Sequence, residues 1–412
     1  MKKILLAAVF LFTVFIMLPN DAYAVPAFAR QTGMACNTCH FQHFPSLNSF
    51  GRAFKSGGYT QIGGQSMIEG DLLSVPAVLN ASLVLKARGQ KTTGDSGASG
   101  TTSGTNKGEF QFPDEAALMI GGRAGEHVGF LLESSLKAAD AGNRFTNFKL
   151  PFTYKTMDAD FSVIPFTSDG SGPSYGFELL NTGAVSMARP IEHGAETSAQ
   201  RFIGTATAAT GFSFVAAHSL FFANYSAWAP VHGDTDAGPY LAYLRAAVTP
   251  TVAGWDLGAG AQWWGGTTKY GATPTRKSAK AWAADIQAQG NAGDYPVGLY
   301  LTYGIAQKSG AGTANMFNSG TADNKKAWSA AGEFGIIPSR LTLLAAYLSG
   351  KGGSLNGSTA DGYTNATTVG ANFNITQNLE LQLNNSWYSG SAFNATPADG
   401  DTKTTLMLFG AF

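Results

Sequence analysis

The chain of 412 residues carries 27 basic and 27 acidic residues, so its formal net charge at pH 7 is zero. A protein without excess positive charge is not expected to bind nucleic acid. Charged residues make up only 13% of the chain, while it contains 51 glycines and 12% aromatic residues. Because soluble domains usually contain about 25% charged residues, this composition argues against an ordinary soluble protein and is typical of a transmembrane β-barrel.

The first 24 residues have the three parts of a cleaved export signal. Lys2 and Lys3 supply positive charge, Ile4 to Leu18 form an apolar run, and residues 22–24 are a small-x-small cleavage site. The apolar run is shorter than the ~20 residues that a membrane-spanning helix needs. We therefore expect residues 1–24 to be removed when the protein is exported.

Residues 25–71 form the first unit of the mature chain and contain its only cysteines. Cys36 and Cys39 are separated by two residues and His40 follows directly, which is the C-x-x-C-H pattern of c-type haem attachment. Two thiols one helical turn apart can each add to a vinyl group of one porphyrin, and the next imidazole can bind the haem iron. The sequence therefore predicts one covalent haem c, with His40 as the iron ligand.

Other uses of a cysteine pair are less well supported. A structural zinc site needs about four ligands, and no further cysteines exist. A thioredoxin-like dithiol would lie near a βαβ pattern, and none is visible in the sequence. A plain disulfide is possible but would not need His40. No hydrolytic motif, phosphate-binding loop or repeated metal spacing is visible elsewhere, so no catalytic residue is assigned.

A short helix is predicted between Pro45 and the pair Gly57-Gly58. The apolar residues at helical spacing are Leu47, Phe50 and Phe54. We expect their face to pack on the porphyrin. Arg52 and Lys55 could pair with the haem propionates, or they could be solvated or lumen-facing cations. A unit of this size is too small for a core of its own, so the haem and a surrounding barrel must supply the missing burial.

Residues 72–412 show alternating apolar and polar residues, which is the mark of β-strands. The apolar residues that share a face are Leu73, Val75, Ala77, Leu79, Ala81, Leu83, Leu85 and Ala87; Tyr295, Val297, Leu299, Leu301, Tyr303 and Ile305; and Leu379, Leu381 and Leu383. Apolar residues outside and polar residues inside suit the wall of an outer-membrane barrel. The strands of a soluble β-sandwich would show the same alternation of residues. The export signal and the low content of charged residues favour the barrel.

Predicted connections alternate between tight turns and long loops, as in barrels with short periplasmic turns and long external loops. The tight ones include 210–211, 249–251, 290–294, 337–340 and 376–378, and the long ones include 90–111, 225–238, 266–277, 308–324, 351–362 and 391–402. Tight turns and long loops alternate regularly along the chain only if residues 168–197 are one connection, without a strand at 174–185. The prediction is then an antiparallel barrel of about 16 strands with both ends in the periplasm. Its last strand ends on an aromatic residue, Phe412, as the last strands of outer-membrane barrels typically do.

The connection 168–197 is long enough to be functional. Its candidate residues are Tyr175, Glu178, Met187, Arg189, Glu192, His193 and Glu196. Carboxylates and imidazoles can bind iron, so this connection could be a constriction near the haem or an entry site for ferrous ions. The alternative is an ordinary solvated loop.

The first unit resembles the haem segment of the fused monohaem cytochrome–porins of iron-oxidising bacteria. The resemblance lies in the run from Ala24 to His40, AVPAFARQTGMACNTCH, and continues through Pro45, Leu47-Asn48, Gly51-Arg52, Phe54-Lys55 and Gly58-Tyr59. For the barrel, the resemblance is limited to its length and to the alternation of apolar and polar residues.

This resemblance implies an outer-membrane protein with a haem plug in or at a porin-like barrel. Such a protein takes electrons from extracellular Fe(II), or from another external donor, and passes them to a periplasmic c-type cytochrome. It also implies a set of residues that pack around or orient the haem, namely Phe28, Arg30, Gln31 and Thr32. Two alternatives stay open: a diffusion porin with a haem plug, and outward electron transfer to external acceptors.

The sixth ligand of the iron is left open by the sequence. The candidates are Met34, Met67, Met187 and His193, and a water-bound or open position is also compatible. His43 follows His40 so closely that reaching the opposite haem face would be awkward. A methionine would raise the haem potential relative to a histidine.

Overall fold

Sixteen antiparallel strands close into one barrel in the computed structural model. The structure describes residues 26–71, 73–94, 108–137, 145–186, 191, 195–233, 238–270, 275–352, 362–391 and 400–412. The strands are β1 (Ala81–Thr92), β2 (Glu109–Gly125), β3 (Val128–Ser135), β4 (Phe145–Lys149 and Phe152–Lys155), β5 (Asp160–Ser168), β6 (Ala209–His218), β7 (Phe221–Ala229), β8 (Leu241–Val248 and Thr251–Val252), β9 (Trp255–Gly265), β10 (Ala281–Ala292), β11 (Tyr295–Ala306), β12 (Lys325–Ile337), β13 (Leu341–Lys351), β14 (Tyr363–Thr376), β15 (Leu379–Ser389) and β16 (Thr402–Ala411). Pairing of β16 with β1 closes the sheet, so the predicted barrel is confirmed.

The barrel wall has a polar inner side and an apolar outer side, because successive side chains of a strand point to opposite faces. In β15, Glu380 and Gln382 are buried in the lumen, whereas Leu383 and Trp387 are 50% and 46% exposed outside. Exposed aromatic residues of the outer side include Phe212, Phe214, Tyr225, Trp263, Trp282, Trp328 and Trp387. An apolar, aromatic-rich outer side is the surface that a barrel presents to lipid.

Short and long connections lie at opposite ends of the barrel. The short ones are 126–127, 156–159, 219–220, 253–254, 293–294, 338–340 and 377–378. We refer to the end that carries them as the turn end, and to the opposite end as the loop end. Strand β1 begins and β16 finishes at the turn end, as predicted. The turns expected within 290–294, 337–340 and 376–378 are confirmed.

Two predicted turns are wrong. Residues 210–211 lie inside β6, where they pair with both β5 and β7. The turn expected at 249–251 is formed by Ala253-Gly254, whose φ angles of 51° and 81° are both positive, as a two-residue hairpin of the favoured twist requires. Pro250 only interrupts β8, because proline has no N–H for the ladder.

The alternating run from Leu73 to Ala87 is divided between two elements. Leu73–Pro76 pairs with Met67–Gly70 in a separate two-stranded hairpin, and the barrel begins with β1 at Ala81. Both elements have the same period of two, so alternation alone could not show where the barrel starts.

Two parts of the chain fill the lumen. From the turn end comes the plug, defined here as residues 26–66, with helices α1 (Ala27–Thr32), α2 (Cys36–Cys39) and α3 (Ser49–Ser56). From the loop end comes the connection between β5 and β6, residues 169–208, which we call the inward loop and which carries α4 (Ala199–Ile203). Residues 174–185 form no strand, which confirms that this stretch is one connection.

Helix α3 is the helix predicted after Pro45. The side chain of Asn48 caps its start by accepting a hydrogen bond of 2.9 Å from the N–H of Gly51. Leu47 lies before the helix and forms an isolated antiparallel bridge with His40. No helix in the described ranges is long and apolar enough to cross a bilayer.

Candidate functional site

The C-x-x-C-H motif lies in the plug as one helical turn followed by an extended residue. Cys36 and Cys39 are the first and last residues of α2, and the N–H of His40 donates to the carbonyl of Cys36 over 2.9 Å. Both cysteines are half-buried free thiols. Burial raises the pKa of the Cys36 thiol to about 11 and also raises that of Cys39. Redox-active dithiols usually have lowered pKa values, and both shifts here are in the opposite direction.

The imidazole of His40 is oriented by the residues that follow it. Its Nδ1 lies 3.2 Å from the carbonyl oxygen of Ser46, and the N–H of Phe41 donates to the same carbonyl over 2.8 Å. A histidine that donates through Nδ1 to a backbone carbonyl presents Nε2 to a metal. This is the ring orientation that a haem iron would need from His40.

Helix α3 lies against α2 with almost no space between them. A Cβ atom at Gly51 would lie 2.2 Å from the carbonyl oxygen of Cys39 and 3.1 Å from Cδ2 of Leu47. Only glycine allows an approach this close. The geometry of the motif therefore depends on Gly51, which no cysteine or histidine pattern identifies.

The aromatic residues of the plug divide into two groups. Phe54 is buried and packs with Phe28 and Tyr59 at ring-centroid distances of 5.1 and 5.8 Å. Phe44 and Phe50 are 40% and 37% exposed, and the ring of Phe44 contacts that of His40 at 5.2 Å. The predicted single face of Leu47, Phe50 and Phe54 is therefore not one surface, because Phe54 turns towards its aromatic neighbours.

The residues that the resemblance implies around the haem make contacts that fix the plug. The Nε2 of Gln31 donates to the carbonyls of Tyr59 and Gln61 over 2.7 Å each, and its Oε1 accepts from the N–H of Arg123 in β2 over 2.9 Å. Arg30 donates to the carbonyl of Ala81 at the start of β1. The hydroxyl of Thr32 donates to the carbonyl of Phe28 over 2.8 Å. These contacts tie α1 to β1, β2 and the rest of the plug.

Arg52 is buried and joins the plug to the barrel wall. Its Nη2 lies 2.6 Å from Oδ1 of Asp256 at the start of β9, so it is not a solvated cation. Its Nη1 is buried and has no hydrogen-bond partner among the described residues. A guanidinium that still has a donor to offer suits a carboxylate such as a haem propionate.

The residues present fit a covalent haem. Two free thiols stand one helical turn apart, and an imidazole held through Nδ1 follows them. The buried Nη1 of Arg52 offers a charged donor to a carboxylate, and exposed aromatic rings at Phe44 and Phe50 offer apolar surface to a porphyrin. Cys36, Cys39 and His40 would hold the group, which would bring one-electron redox chemistry to this end of the lumen.

His43 joins the plug to the barrel wall, and it does not suit the role of sixth ligand of the haem iron. Its side chain is 1% exposed, its Nε2 lies 2.8 Å from Oε2 of Glu333 in β12, and its Nδ1 lies 3.0 Å from the carbonyl of Phe44. Tyr300 in β11 donates to the other oxygen of Glu333. Met34 and Met67 are half-buried. Of the other predicted ligands, Met187 and His193 lie outside the described residues.

The pairing of His43 with Glu333 predicts a dependence of plug docking on pH. Burial lowers the pKa of His43, but the carboxylate of Glu333 more than offsets this and raises it from 6.5 to about 9. A raised histidine pKa contributes stability that is complete below the unfolded value near 6.5 and is lost as pH rises through about 9. We expect the rate at which protease cleaves the plug to rise across that window.

The matched variant for this prediction is His43→Gln, which keeps a hydrogen bond to Glu333 without a charge. Its protease sensitivity should be higher than that of the unchanged protein at pH 6 and should not rise further through about pH 9. Equal pH profiles for the two proteins would mean that another group is responsible. Proteolysis followed by mass spectrometry measures both profiles.

The inward loop is held by a buried ion cluster. Arg245 of β8 places Nη1 2.5 Å from Oδ1 of Asp285 in β10 and Nε 2.9 Å from Oε2 of Glu178 in the loop. All three side chains are buried. Further along the loop, Glu196 pairs with Lys403 and accepts from the hydroxyl of Tyr388 over 2.8 Å. The described part of this connection is thus packed into the lumen and is not a solvated loop.

The inward loop and the plug meet inside the barrel. The Oδ1 of Asn181 accepts from the N–H of Leu47 over 3.3 Å, and the N–H of Asn181 donates to Gln287 of β10 over 2.8 Å. The contact is seven residues beyond His40 along the chain. The lumen is therefore occupied from both ends in the part of the barrel that β10 lines.

The structure gives no support to a ferrous-ion site in the inward loop. Within the described ranges, no group of three histidine, cysteine, aspartate or glutamate side chains lies close enough to hold a metal ion. Glu178 and Glu196 instead pair with different basic residues, Arg245 and Lys403. Met187, Arg189, Glu192 and His193 lie outside the residues that the structure describes.

Sequence reasoning missed the wall residues that receive the plug and the loop. These are Asp256, Glu333, Arg245 and Asp285. A usable signal was present, since each is a charged residue at an inward position of a strand in a chain that has few charges. A buried charge needs a partner, so such positions point to something docked inside the barrel.

Solved barrels share this fold. The high-pH structure of OprB from Pseudomonas putida matches with a TM-score of 0.52 and 10% identity over 81% of this chain and 94% of that one. The Salmonella typhi OmpF complex with daunomycin has a TM-score of 0.47 and 14% identity, over 84% of this chain and 100% of that one. OmpT of Vibrio cholerae has a TM-score of 0.45 and 11% identity, also over 84% and 100%. Neither a protein-family model nor a curated protein matches the chain.

At these identities the likeness concerns the fold. It defines the class of this chain as a closed, porin-like β-barrel. The plug of this barrel carries the C-x-x-C-H segment at the turn end, and Leu47 of the plug contacts the inward loop.

Proposed function

We propose that this protein is an outer-membrane cytochrome–porin that passes electrons from an extracellular donor to a periplasmic c-type cytochrome through one covalent haem c. The observation that carries the proposal is that Cys36, Cys39 and His40 lie at the turn end of a closed barrel, where the N–H of Cys36 donates to Gln377 in the turn between β14 and β15. Fe(II) is the donor that the resemblance to cytochrome–porins of iron-oxidising bacteria suggests.

The proposed location in the outer membrane rests on the barrel's outer side and on the export signal. Apolar and aromatic residues cover the outside, which suits lipid. The signal at residues 1–24 lies outside the described residues, and its cleavage is part of the proposal. With short turns in the periplasm, the plug would face the periplasmic partner.

The chain's own residues have distinct tasks in this proposal. Cys36 and Cys39 would bind the porphyrin, and His40, held through Ser46, would bind its iron. Gly51 keeps α3 against α2, and Arg52 fixes α3 to the wall through Asp256. A bound haem supplies a one-electron carrier within a bilayer that otherwise insulates the two sides.

The second candidate function is a diffusion porin with a haem plug. The fold that this chain shares with OprB favours it. The contact between Asn181 and Leu47 disfavours it, because the plug and the inward loop meet in the lumen. Single-channel recording separates the two: a diffusion porin conducts ions steadily, whereas a barrel filled in this way should conduct little.

The test of the main proposal is an anaerobic haem spectrum of the full chain purified in detergent. The oxidised protein is mixed with Fe(II), and dithionite serves as the full-reduction control. We expect the bands of a reduced c-type haem after Fe(II) addition, and their complete loss in the Cys36→Ala/Cys39→Ala variant, which has no thiol to bind the porphyrin. Asn37→Ala, an exposed residue between the two cysteines, is the matched control and should behave like the unchanged protein.

The other outcomes decide between parts of the proposal. Absence of covalent haem from the unchanged protein would overturn the cytochrome assignment. A haem that dithionite reduces and Fe(II) does not would exclude iron as the donor. A haem potential well below that of the Fe(III)/Fe(II) couple would favour outward electron transfer to an external acceptor.

A further inference from the structure

The loop end of the barrel is strongly cationic above strands β9 to β12. Residues 266–280 and 307–326 contain seven basic residues and one acidic residue, Asp323. The basic residues are Lys269, Arg276, Lys277, Lys280, Lys308, Lys325 and Lys326. The chain as a whole has no net charge, so this concentration of positive charge is local and points to an anionic partner.

Two lysines lie opposite each other on the outer side of the wall. Lys326 near the start of β12 pairs directly with Lys351 at the end of β13. The neighbouring Ala327 and Gly350 face the lumen and are buried, while Trp328 is 40% exposed on the outside. Within the described residues, neither lysine side chain has a salt-bridge or hydrogen-bond partner.

Like charges directly opposite each other on adjacent strands repel and destabilise the sheet. The same lateral row continues through Ile305 on one side and Tyr363 on the other, neither of which offers a negative charge. An anion between the two ammonium groups would remove the repulsion. The pair therefore suits an anionic ligand, and the level of the pair on the barrel indicates where that ligand comes from.

The height of this pair on the barrel identifies the source of the anion. Aromatic residues on the outer side lie beside the lysines: the ring of Trp328 is 5.1 Å from that of Tyr347, and the ring of Trp282 is 5.5 Å from that of Tyr303. Such aromatic residues mark the level where hydrocarbon meets headgroups. The lysines are at the loop-end side of this level and face lipid, not the lumen.

We propose that Lys326 and Lys351 bind the phosphate groups of a phosphorylated glycolipid of the outer leaflet. The proposal rests on the outer-membrane location proposed above and does not depend on haem. Lysine is a point charge that binds phosphate well, and the two ammonium groups together match a phosphate with more than one negative charge. The remaining cations of the loop end would extend the positive field towards the headgroups.

The test measures binding of diphosphoryl lipid A to the full chain in detergent, by native mass spectrometry. Lipid A without phosphates but with the same acyl chains, phosphatidylglycerol and inorganic phosphate are the comparison ligands. We expect diphosphoryl lipid A to bind tightest and the Lys326→Gln/Lys351→Gln variant to bind it roughly 30-fold more weakly, as expected for the loss of two lysines near a charged lipid surface. The variant Lys326→Arg/Lys351→Arg should restore binding.

The matched control is Lys269→Gln/Arg276→Gln. These two residues are also a like-charged pair on neighbouring strands, but they lie in a hairpin of the loops, Thr267–Tyr270 with Thr275–Ser278, and not in the barrel wall. The control should keep at least most of the affinity for lipid A. Equal loss in both variants would show that binding follows net charge, and equal binding of the lipid without phosphates would show that the acyl chains alone are bound; either result overturns the proposal.

Failure of this proposal and failure of the electron-transfer proposal can be told apart on the same samples. The Lys326→Gln/Lys351→Gln variant should keep the haem spectrum and its response to Fe(II), because its lysines lie on the outer side of the wall at the loop end. A protein without haem that still binds diphosphoryl lipid A through these lysines would support this site alone.

Discussion

Replacing Arg245 by alanine should release the inward loop and open the lumen to ions. Arg245 is 1% exposed and is the shared partner of Glu178 and Asp285. Without it, two carboxylates remain in a buried site without a cation. Breaking a buried ion pair in this way costs on the order of 3–5 kcal/mol, which is a large part of the stability of a typical domain. Planar-bilayer recording should show a clear increase in conductance.

Two further variants make this prediction specific. Arg201→Ala removes an exposed arginine of the same loop and should leave the conductance low. Adding Glu178→Gln and Asp285→Asn to Arg245→Ala removes the unpaired charges and should recover part of the lost stability. If Arg245→Ala conducts no more than the unchanged protein, the ion cluster does not hold the loop in the lumen.

Gly51→Ala should abolish most haem attachment, although it adds one methyl group outside the C-x-x-C-H motif. The new Cβ would lie 2.2 Å from the carbonyl oxygen of Cys39. The two nearest atoms belong to the backbone of Cys39, which leaves little room to adjust, and overpacking of this kind costs about 1–3 kcal/mol or more. Separation of α3 from α2 would disturb the turn that spaces the thiols. We expect haem content per chain to fall by about tenfold, since each 1.4 kcal/mol is about a factor of ten.

The measurement is the ratio of covalent haem to protein after denaturation, which reports only attached porphyrin. Gly64→Ala is the control in the same plug, because nothing lies within 4 Å of a Cβ at that position. It should retain normal haem content. A Gly51→Ala protein with a full complement of haem would show that the packing of α3 on α2 is not needed for attachment.

The strands of the barrel could be predicted because the sequence pattern that indicates a strand is local. Alternation in β11 and β15 places Leu299 and Leu383 outside and their neighbours inside, and this pattern is visible in any short window of the chain. The count of 16 followed from the alternation of turns and loops. Errors occurred where local signals are ambiguous, as at Thr210-Gly211, which resembles a turn and lies within β6.

The candidate haem motif could also be predicted, because Cys36, Cys39 and His40 are adjacent in the chain and their chemistry requires only that spacing. The residues that surround the motif in the folded protein could not be predicted. His43 pairs with Glu333 across 290 residues, and Arg52 pairs with Asp256 across 204 residues. The sequence around either partner does not indicate which distant residue it pairs with.

By itself, the sequence determined the barrel, its number of strands and the presence of a C-x-x-C-H segment, because periodicity and short motifs depend on residues within a few positions. Only the tertiary structure decided that the plug lies in the lumen at the turn end, and that the inward loop meets it at Asn181. It also decided that Lys326 lies opposite Lys351. The physical reason is that burial of charge is settled by pairs far apart in the chain, which come together only when the barrel closes.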